Sequence, residues 1–218
     1  MCRITGSAGF EVEAYFAIFA GPGPKTAVLE IAPATGSGLV STCGLSPGET
    51  TSFGVGELIK AALGHNVERL LILCEDAGTL DGGAGMAQAL GVRLLDARGH
   101  QIPWGGRALL KLVHIDLSRM DPALRHAKIH CVDDRNLILC GPRGIAKLLA
   151  SSGQPLLRSD PLLSLALENY ADVIQHELGI DVRTVPGGGA AGGLGAALYA
   201  FFNATLDAPA SLSALRSA

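Results

Sequence analysis

Aromatic side chains are scarce in this chain, at 5% of residues with a single tryptophan, and charged side chains are few, at 17%. The 17 Lys and Arg are outnumbered by 20 Asp and Glu, which leaves a net charge of −3. Nucleic-acid binding needs a basic footprint, and this balance excludes nucleic acid as an expected partner. No polybasic or basic amphipathic segment serves a membrane surface. A long apolar run is missing too. "LGAALYAFF" stops at Asn203, well short of the roughly 18–20 residues a bilayer span needs. "MCRITGSAGFEVEAYF" lacks a basic stretch leading into an apolar one, so no secretory leader is expected and a cytoplasmic location is.

The five cysteines, Cys2, Cys43, Cys74, Cys131 and Cys140, are scattered and odd in number. None forms a CxxC pair or a zinc-type Cys/His set, so they read as reduced, mostly buried thiols and no structural metal is expected. The six histidines form no HxxxH cluster. No G-x-S-x-G elbow supports Ser/His/Asp catalysis.

What the chain does have is apolar content: 48% of 218 residues, with a mean hydropathy of +0.34. That length carries a substantial core. Residues 10–19 alternate as one strand, "GPGPK" (21–25) is a turn, and 26–32 reads as the returning strand of a hairpin. Residues 33–53 read as a small-residue loop region. A helix follows over 54–64, then a buried strand over 68–74. A Gly-rich loop leads into a helix ending at Gly91. Strands are expected at 92–96, 109–118, 127–134 and 180–185, and a turn with a short helix at 141–153. Residues 160–179 are the clearest helix, with Asp160 as N-cap, Pro161 in the first turn and Gly179 as the stop. Alternating helices and strands with an N-terminal hairpin make this α/β with a mixed sheet. The organisation expected is one α/β domain over 1–206 and a C-terminal tail over 207–218. Trp104, in "PWGGR", reads as a loop anchor or an interface residue.

Two segments, "LLILCEDAGTLDGGAGM" and "VRTVPGGGAAGGLGAAL", run from a strand through glycines into a helix. A helix N-terminus exposes unpaired N–H groups and partial positive charge, and glycine lets an anion approach the backbone. Neither segment fits G-x-x-x-x-G-K-[ST] or a dinucleotide fingerprint. Close helix–sheet packing through Gly and Ala explains the same composition.

Read together, the motifs resemble a family. "VPGGGAAGGLGAAL" is similar to the "VPGAGAAGGLGAAL" signature of the bacterial glycerate kinases of the type I glycerate 2-kinase family. "LEIAPATGSGLV" (29–40), "TTSFGVGELI" (50–59), "DGGAGMAQALGVRLLDARG" (81–99) and "IDLSRMDPAL" (115–124) align in the same order. The resemblance implies ATP-dependent, magnesium-assisted phosphorylation of D-glycerate, a small anionic substrate. It also implies the fold of the α/β domain inserted in the family's Rossmann-like domain, with the active site in the cleft between the two. The family's opening "APDSFKGSLSA"-type and closing "TGEGRxDxQS"-type segments have no counterpart here. The expectation is therefore the inserted domain, with a homo-oligomer or a partner domain covering a face left exposed.

The resemblance also carries the candidate residues. Asp81 and Asp133 are the catalytic candidates, and Asp81 or Asp133 the candidate magnesium ligand. Thr79, Gly82, Gly83, Asn136, Arg143, Gly187, Gly188, Gly189, Gly192 and Gly193 are the candidates for substrate or phosphate binding. Each has a structural alternative: Asp81 as a helix cap, Asp133 as a solvated strand end, the glycines as packing. Two departures bear on activity. The family's "GGSATNDGGAGM" is "CEDAGTLDGGAGM" here, which places Glu75 and Asp76 where glycines stand and Leu80 where an Asn stands. Each added carboxylate repels an anionic ligand by about 1 kcal/mol even when solvated. The family's "DVTNPL…GPQKG" is "DDRNLILCGPRG" (133–144), with Arg143 in place of a Lys, and the two cations are not interchangeable. The chain therefore reads as a glycerate kinase or, alternatively, as a catalytically inactive domain for ligand binding or protein interaction. A piece of a longer or split protein is a third reading.

Overall fold

The computed structural model describes residues 1–75, 78–133, 136–151 and 160–208. Among the described residues the strands are β1 (Cys2–Thr5), β2 (Glu11–Ala14), β3 (Phe16–Phe19), β4 (Thr26–Glu30), β5 (Arg69–Leu73), β6 (Arg93–Leu95), β7 (His114–Asp116), β8 (Lys128–Val132) and β9 (Thr205–Asp207). The helices are α1 (Ala32–Thr35), α2 (Ser37–Cys43), α3 (Phe53–Leu63), α4 (Ala84–Ala89), α5 (Ile145–Ser151), α6 (Pro161–Leu178) and α7 (Ala190–Phe202). The main sheet has the order β3-β4-β5-β8-β9. Its edge strand β3 is antiparallel to β4, and the remaining pairs are parallel. The expected mixed α/β sheet is the architecture observed.

Burial alternates along the central strands: one face is fully buried against the helices and the other is half-buried. Leu29, Leu70, Ile72 and Cys131 lie on the buried face, and Leu58, Ile59, Met86, Leu90 and Tyr170 pack around it from the helices. All the parallel strands run the same way, so their carboxyl ends line one rim. A ligand crevice in an open α/β sheet forms at that rim.

Several local expectations are corrected. Residues 10–19 are two strands, not one. The chain changes sheet at Tyr15: β2 pairs with β1 while β3 joins the main sheet. The 33–53 region contains α1 and α2, nucleated by Pro33 in a first turn and by the buried Ala34 and Thr35. Only His114–Asp116 of the expected 109–118 strand is extended. Asn169 Nδ2 donates to the carbonyls of Leu109 (2.7 Å) and Leu112 (3.1 Å) and holds Gly106–Lys111 as a 3₁₀ turn. The 180–185 strand is absent. Asp181 accepts from its own neighbour's amide, Arg183 N, at 3.0 Å, and the Arg183 side chain reaches Gln175 on α6. This local turn competes with strand pairing. Strand β9 was not anticipated; it extends to Asp207, one residue beyond the expected limit of the domain, and residues 209–218 of the tail lie outside the described residues.

Helix α6 follows its sequence signals closely. Asp160 caps it by accepting from Leu162 N at 3.0 Å, and Gly179 ends it at φ 73°. No described helix is long and apolar enough to cross a membrane. No disulfide forms among the described residues; Cys74, Cys131 and Cys140 are buried, Cys2 is half-buried and Cys43 exposed.

Candidate functional site

Chain segments far apart in sequence meet at the carboxyl rim of the main sheet. The loop after β5 enters α4 through Gly82 and Gly83, which take left-handed φ values of 65° and 76°. The loop before α7 packs directly on it: Gly82 N donates to Gly192 O at 3.1 Å. Gly189 N donates to Leu137 O at 2.9 Å, which ties the same loop to the turn after β8. Asp133 follows β8 immediately, and its amide donates to Asp207 O at 3.1 Å. Thr79, Asp81, Gly82, Gly83, Gly189, Gly192 and Gly193 are thus brought into one packed cluster. The 137–139 segment borders this cluster, and Asp133 lies at the end of β8. Asn136 and Arg143 lie on the exposed side of that segment, Asn136 with a left-handed φ of 48°. Asp76 lies outside the described residues, while Glu75 is exposed at the end of β5.

Asp81 is 1% exposed, and its carboxylate is fully engaged. One oxygen accepts from Ser52 N (2.8 Å), Ser52 Oγ (2.9 Å) and Gly85 N (3.1 Å), and the other from Gly83 N (3.0 Å). Each carboxylate oxygen offers about two lone-pair sites, so Oδ2, with three donors, is saturated while Oδ1 has one. Burial pushes the Asp81 pKa up, and the four hydrogen bonds pull it back only in part. Ser52 Oγ in turn accepts from Met86 N at 3.0 Å. Asp81 and Ser52 therefore cap the start of α4 together while joining it to the start of α3.

The second glycine loop is built without any side-chain cap. Ala191, Gly192 and Gly193 form a left-handed turn inside the first residues of α7, at φ 49°, 71° and 99°. A Cβ on Gly192 would collide with the carbonyl of Thr79, and one on Gly193 would lie 2.7 Å from Gly82 Cα. The amides of Gly188 and Gly193 donate to Val185 O (2.9 Å) and Gly189 O (3.3 Å). The amides of Gly82, Gly83, Gly188, Gly189 and Gly193 thus all have protein acceptors. Gly187, at φ 81°, sits against Leu206 of β9. These glycines bring backbones together at distances that side chains would prevent.

Three polar features lie beside this cluster. Thr79 Oγ1 is buried with no hydrogen-bond partner among the described residues. His130 Nδ1 and Asp207 Oδ2 are 2.8 Å apart on β8 and β9, next to Asp133. Cys74 and Cys131 place their sulfurs 3.1 Å apart at the ends of β5 and β8, and that contact together with burial pushes the Cys74 thiol well up. The sequence reading missed Ser52 and the His130–Asp207 pair. Only the Thr-Thr-Ser run before α3 carried a signal for Ser52, as a helix-start signature.

A magnesium ion needs oxygen ligands with free lone pairs. Asp81 fits that requirement poorly, because it is 1% exposed and its Oδ2 already accepts three hydrogen bonds. Among the described residues no group of three or more His, Cys, Asp or Glu side chains is arranged to hold a metal. Asp133, 7% exposed at the end of β8, is the carboxylate nearest to the rim among the candidates.

Comparison with known proteins bears on the whole chain. Residues 1–214 match the glycerate kinase family. The chain is similar to the Glycerate 2-kinase of Escherichia coli (strain K12), at 42% identity over 203 residues, covering 93% of this chain and 53% of that protein. It is similar to the Glycerate kinase of Bacillus subtilis (strain 168), at 41% identity over 203 residues, with 93% and 53% covered. Its structure resembles the crystal structure of a proposed glycerate kinase 2 from Salmonella typhimurium LT2, with a TM-score of 0.86 and 40% identity, covering 94% of this chain and 55% of that one. The chain spans about half the length of these relatives. With the family's sequence pattern matched over 1–214 and the α/β fold shared at this level of identity, the chain belongs to the glycerate kinase family.

Proposed function

We propose that this chain forms part of a glycerate kinase, transferring the γ-phosphoryl group of ATP to D-glycerate at the carboxyl rim of the main sheet. The observation that carries the reading is the meeting of the two glycine loops with the end of β8, in a chain of this family. Phosphoryl transfer depends mainly on positioning and electrostatic stabilisation, so a rigid frame with few reactive groups suits it. In this reading Asp133 orients the substrate hydroxyl. Arg143 and Asn136, on the exposed side of the same turn, meet the carboxylate and phosphate groups. Thr79 offers a buried hydroxyl to the same ligands. Asp81 is a positioning residue: it holds the start of α4 and the glycine turn in place and touches no substrate. Magnesium, when bound with the nucleotide, neutralises phosphate charge, and its protein ligands are not drawn from Asp81. The unit acting is the 1–206 domain. Phe10, Tyr15 and Phe19, exposed by 71%, 57% and 61%, support cover by a second copy or a partner domain. Sedimentation at micromolar concentration reads this directly, and a monomer removes self-association.

The test is ADP formation by the protein with ATP and magnesium, with and without D-glycerate. Glycerate-dependent ADP formation is expected, and Asp133→Asn is expected to abolish it while leaving the thermal midpoint nearly unchanged. The engagement of Asp81 and the exposed Glu75 favour a second reading, ligand binding without turnover. ADP formation no higher than the glycerate-free background selects that reading.

A further inference from the structure

Two cysteines meet inside the main sheet, on neighbouring strands. Cys131 lies on β8 opposite Ile72 of β5 in the parallel register. Cys74 is the first residue past β5, and its amide donates to Val132 O at 2.9 Å, so the ladder runs one step beyond the strand. Side chains alternate along a strand, which puts Cys74 on the buried face it shares with Ile72 and Cys131. Both cysteines are fully buried, at 0% and 1% exposure. Their sulfurs are 3.1 Å apart although 57 positions separate them in the chain, and one thiol donates to the other sulfur. The remaining cysteines are placed elsewhere: Cys2 Sγ donates to Ala14 O at 3.6 Å, Cys140 lies beside Glu168, and Cys43 is exposed.

This arrangement suits one reaction of thiols. A disulfide holds its sulfurs about 2.05 Å apart, so the pair stands about 1 Å from bonding distance with nothing between the two atoms. Alone, each group would be inert, since the Cys131 contact and burial hold the Cys74 thiol protonated. Proximity acts on the second step of oxidation rather than the first. Once either sulfur is oxidised, the other is already in reach and captures it ahead of further oxidation. Access is from the rim, where Glu75, next to Cys74, is exposed. Burial on every other side selects a small oxidant.

We propose that Cys74 and Cys131 form a site of reversible oxidation that takes hydrogen peroxide and closes a disulfide between the carboxyl ends of β5 and β8. One sulfur attacks the peroxide. The O–O bond breaks as an S–O bond forms, and the leaving hydroxide takes the thiol proton and departs as water. The second sulfur then attacks the first. The S–S bond forms as the S–O bond breaks, and the second thiol proton leaves with the hydroxyl as another water. Both sulfurs are oxidised and one peroxide is reduced to two waters. A dithiol reductant reverses the bond by exchange. Cys74 opens the segment that carries Thr79, Asp81 and the Gly82–Gly83 turn, and Cys131 stands two residues before Asp133. The bond therefore draws together the two strand ends that hold these residues.

The experiment treats the reduced whole chain with hydrogen peroxide, unfolds it in an alkylating reagent and maps its peptides by mass spectrometry. The expected result is loss of two of the five thiols, recovered as one linked pair of peptides containing Cys74 and Cys131 and restored by dithiothreitol. A bond across so long a loop should also raise the thermal midpoint by several degrees. Neither Cys74→Ala nor Cys131→Ala should show that rise. Cys74 and Cys131 still open to alkylation after treatment, a link through Cys43 instead, or sulfinic acid on either without a link overturns the proposal. So does the same rise in both variants, or a fall in the midpoint on oxidation. Control of the kinase by this bond rests on the proposed function and is read apart from it. Glycerate-dependent ADP formation should fall severalfold on oxidation and recover with dithiothreitol. An unchanged rate removes the control and keeps the bond. No ADP formation by the reduced chain removes the kinase reading, while the linked peptides still decide the bond.

Discussion

The two glycine-rich turns look alike as sequence and are held by different forces. The turn into α4 is fastened by a charged group, with one buried carboxylate collecting four donors from two helices. The turn into α7 has no side-chain cap and is fastened by shape, with Gly192 and Gly193 pressed against the backbone of residues 79–82. The first arrangement depends on hydrogen bonding and on a protonation state. The second depends on the absence of two Cβ atoms and is indifferent to pH. Glycine density at a strand-to-helix joint therefore does not reveal which force is at work.

The largest effect expected from breaking this contrast is on the charged side. Asp81→Ala leaves three buried amides and the Ser52 hydroxyl without their acceptor and should destabilise the fold by about 4 kcal/mol. Denaturant unfolding measures it, and a loss below about 1 kcal/mol would show that the clamp is dispensable. On the steric side, Gly192→Ala adds a Cβ at φ 71° against the Thr79 carbonyl. Strain and displacement together should cost roughly 3 kcal/mol, equally at low and neutral pH.

A smaller effect distinguishes the two turns by pH. The Asp81 pKa is raised in the folded state above its ordinary 3.8. The folded chain thus keeps this proton to higher pH than the unfolded chain does. The group's contribution to stability is fully present below about pH 3.8 and is lost as pH rises through its raised folded value. Asp81→Asn should flatten that component of the stability–pH curve, whereas Gly192→Ala should leave its shape intact. Unfolding midpoints taken across the acid range compare the two.

The smallest effect expected is at Tyr170. Its ring lies under Gly82, and its buried hydroxyl has no partner among the described residues. Tyr170→Phe should change stability by less than about 1 kcal/mol, in either direction, because no hydrogen bond is lost. A larger loss would mean that the hydroxyl helps to hold the first turn, and the contrast would then need a second polar anchor.

Much of the fold was legible from local pattern. The buried strand β5 declared itself as a short apolar run, β8 as a strand ending on two carboxylates, and α6 as a periodic stretch between Asp160 and Gly179. These signals arise within one element, so they survive without tertiary context. The 109–118 segment misled because its alternation was genuine but was outcompeted by Asn169, 57 and 60 residues beyond the carbonyls it holds. The 180–185 segment misled because Asp181 and Arg183 bond locally and to α6. Of the candidate site, the glycines and Asp81 were visible as residue types in a family-like order. Ser52, His130 and Asp207 were not, since each matters only through a partner at least 29 positions away.

The sequence by itself determined the α/β class, the main helices, the parallel strands β4, β5 and β8, and the family, because composition, periodicity and motif order are properties of neighbours along the chain. Tertiary structure alone decided that Asp81 faces inward to four donors, that two glycine loops touch backbone to backbone, and that the Cys74 and Cys131 sulfurs meet. Those outcomes depend on which distant atoms exclude one another and which buried polar groups find a partner, and both are settled only when the layers pack.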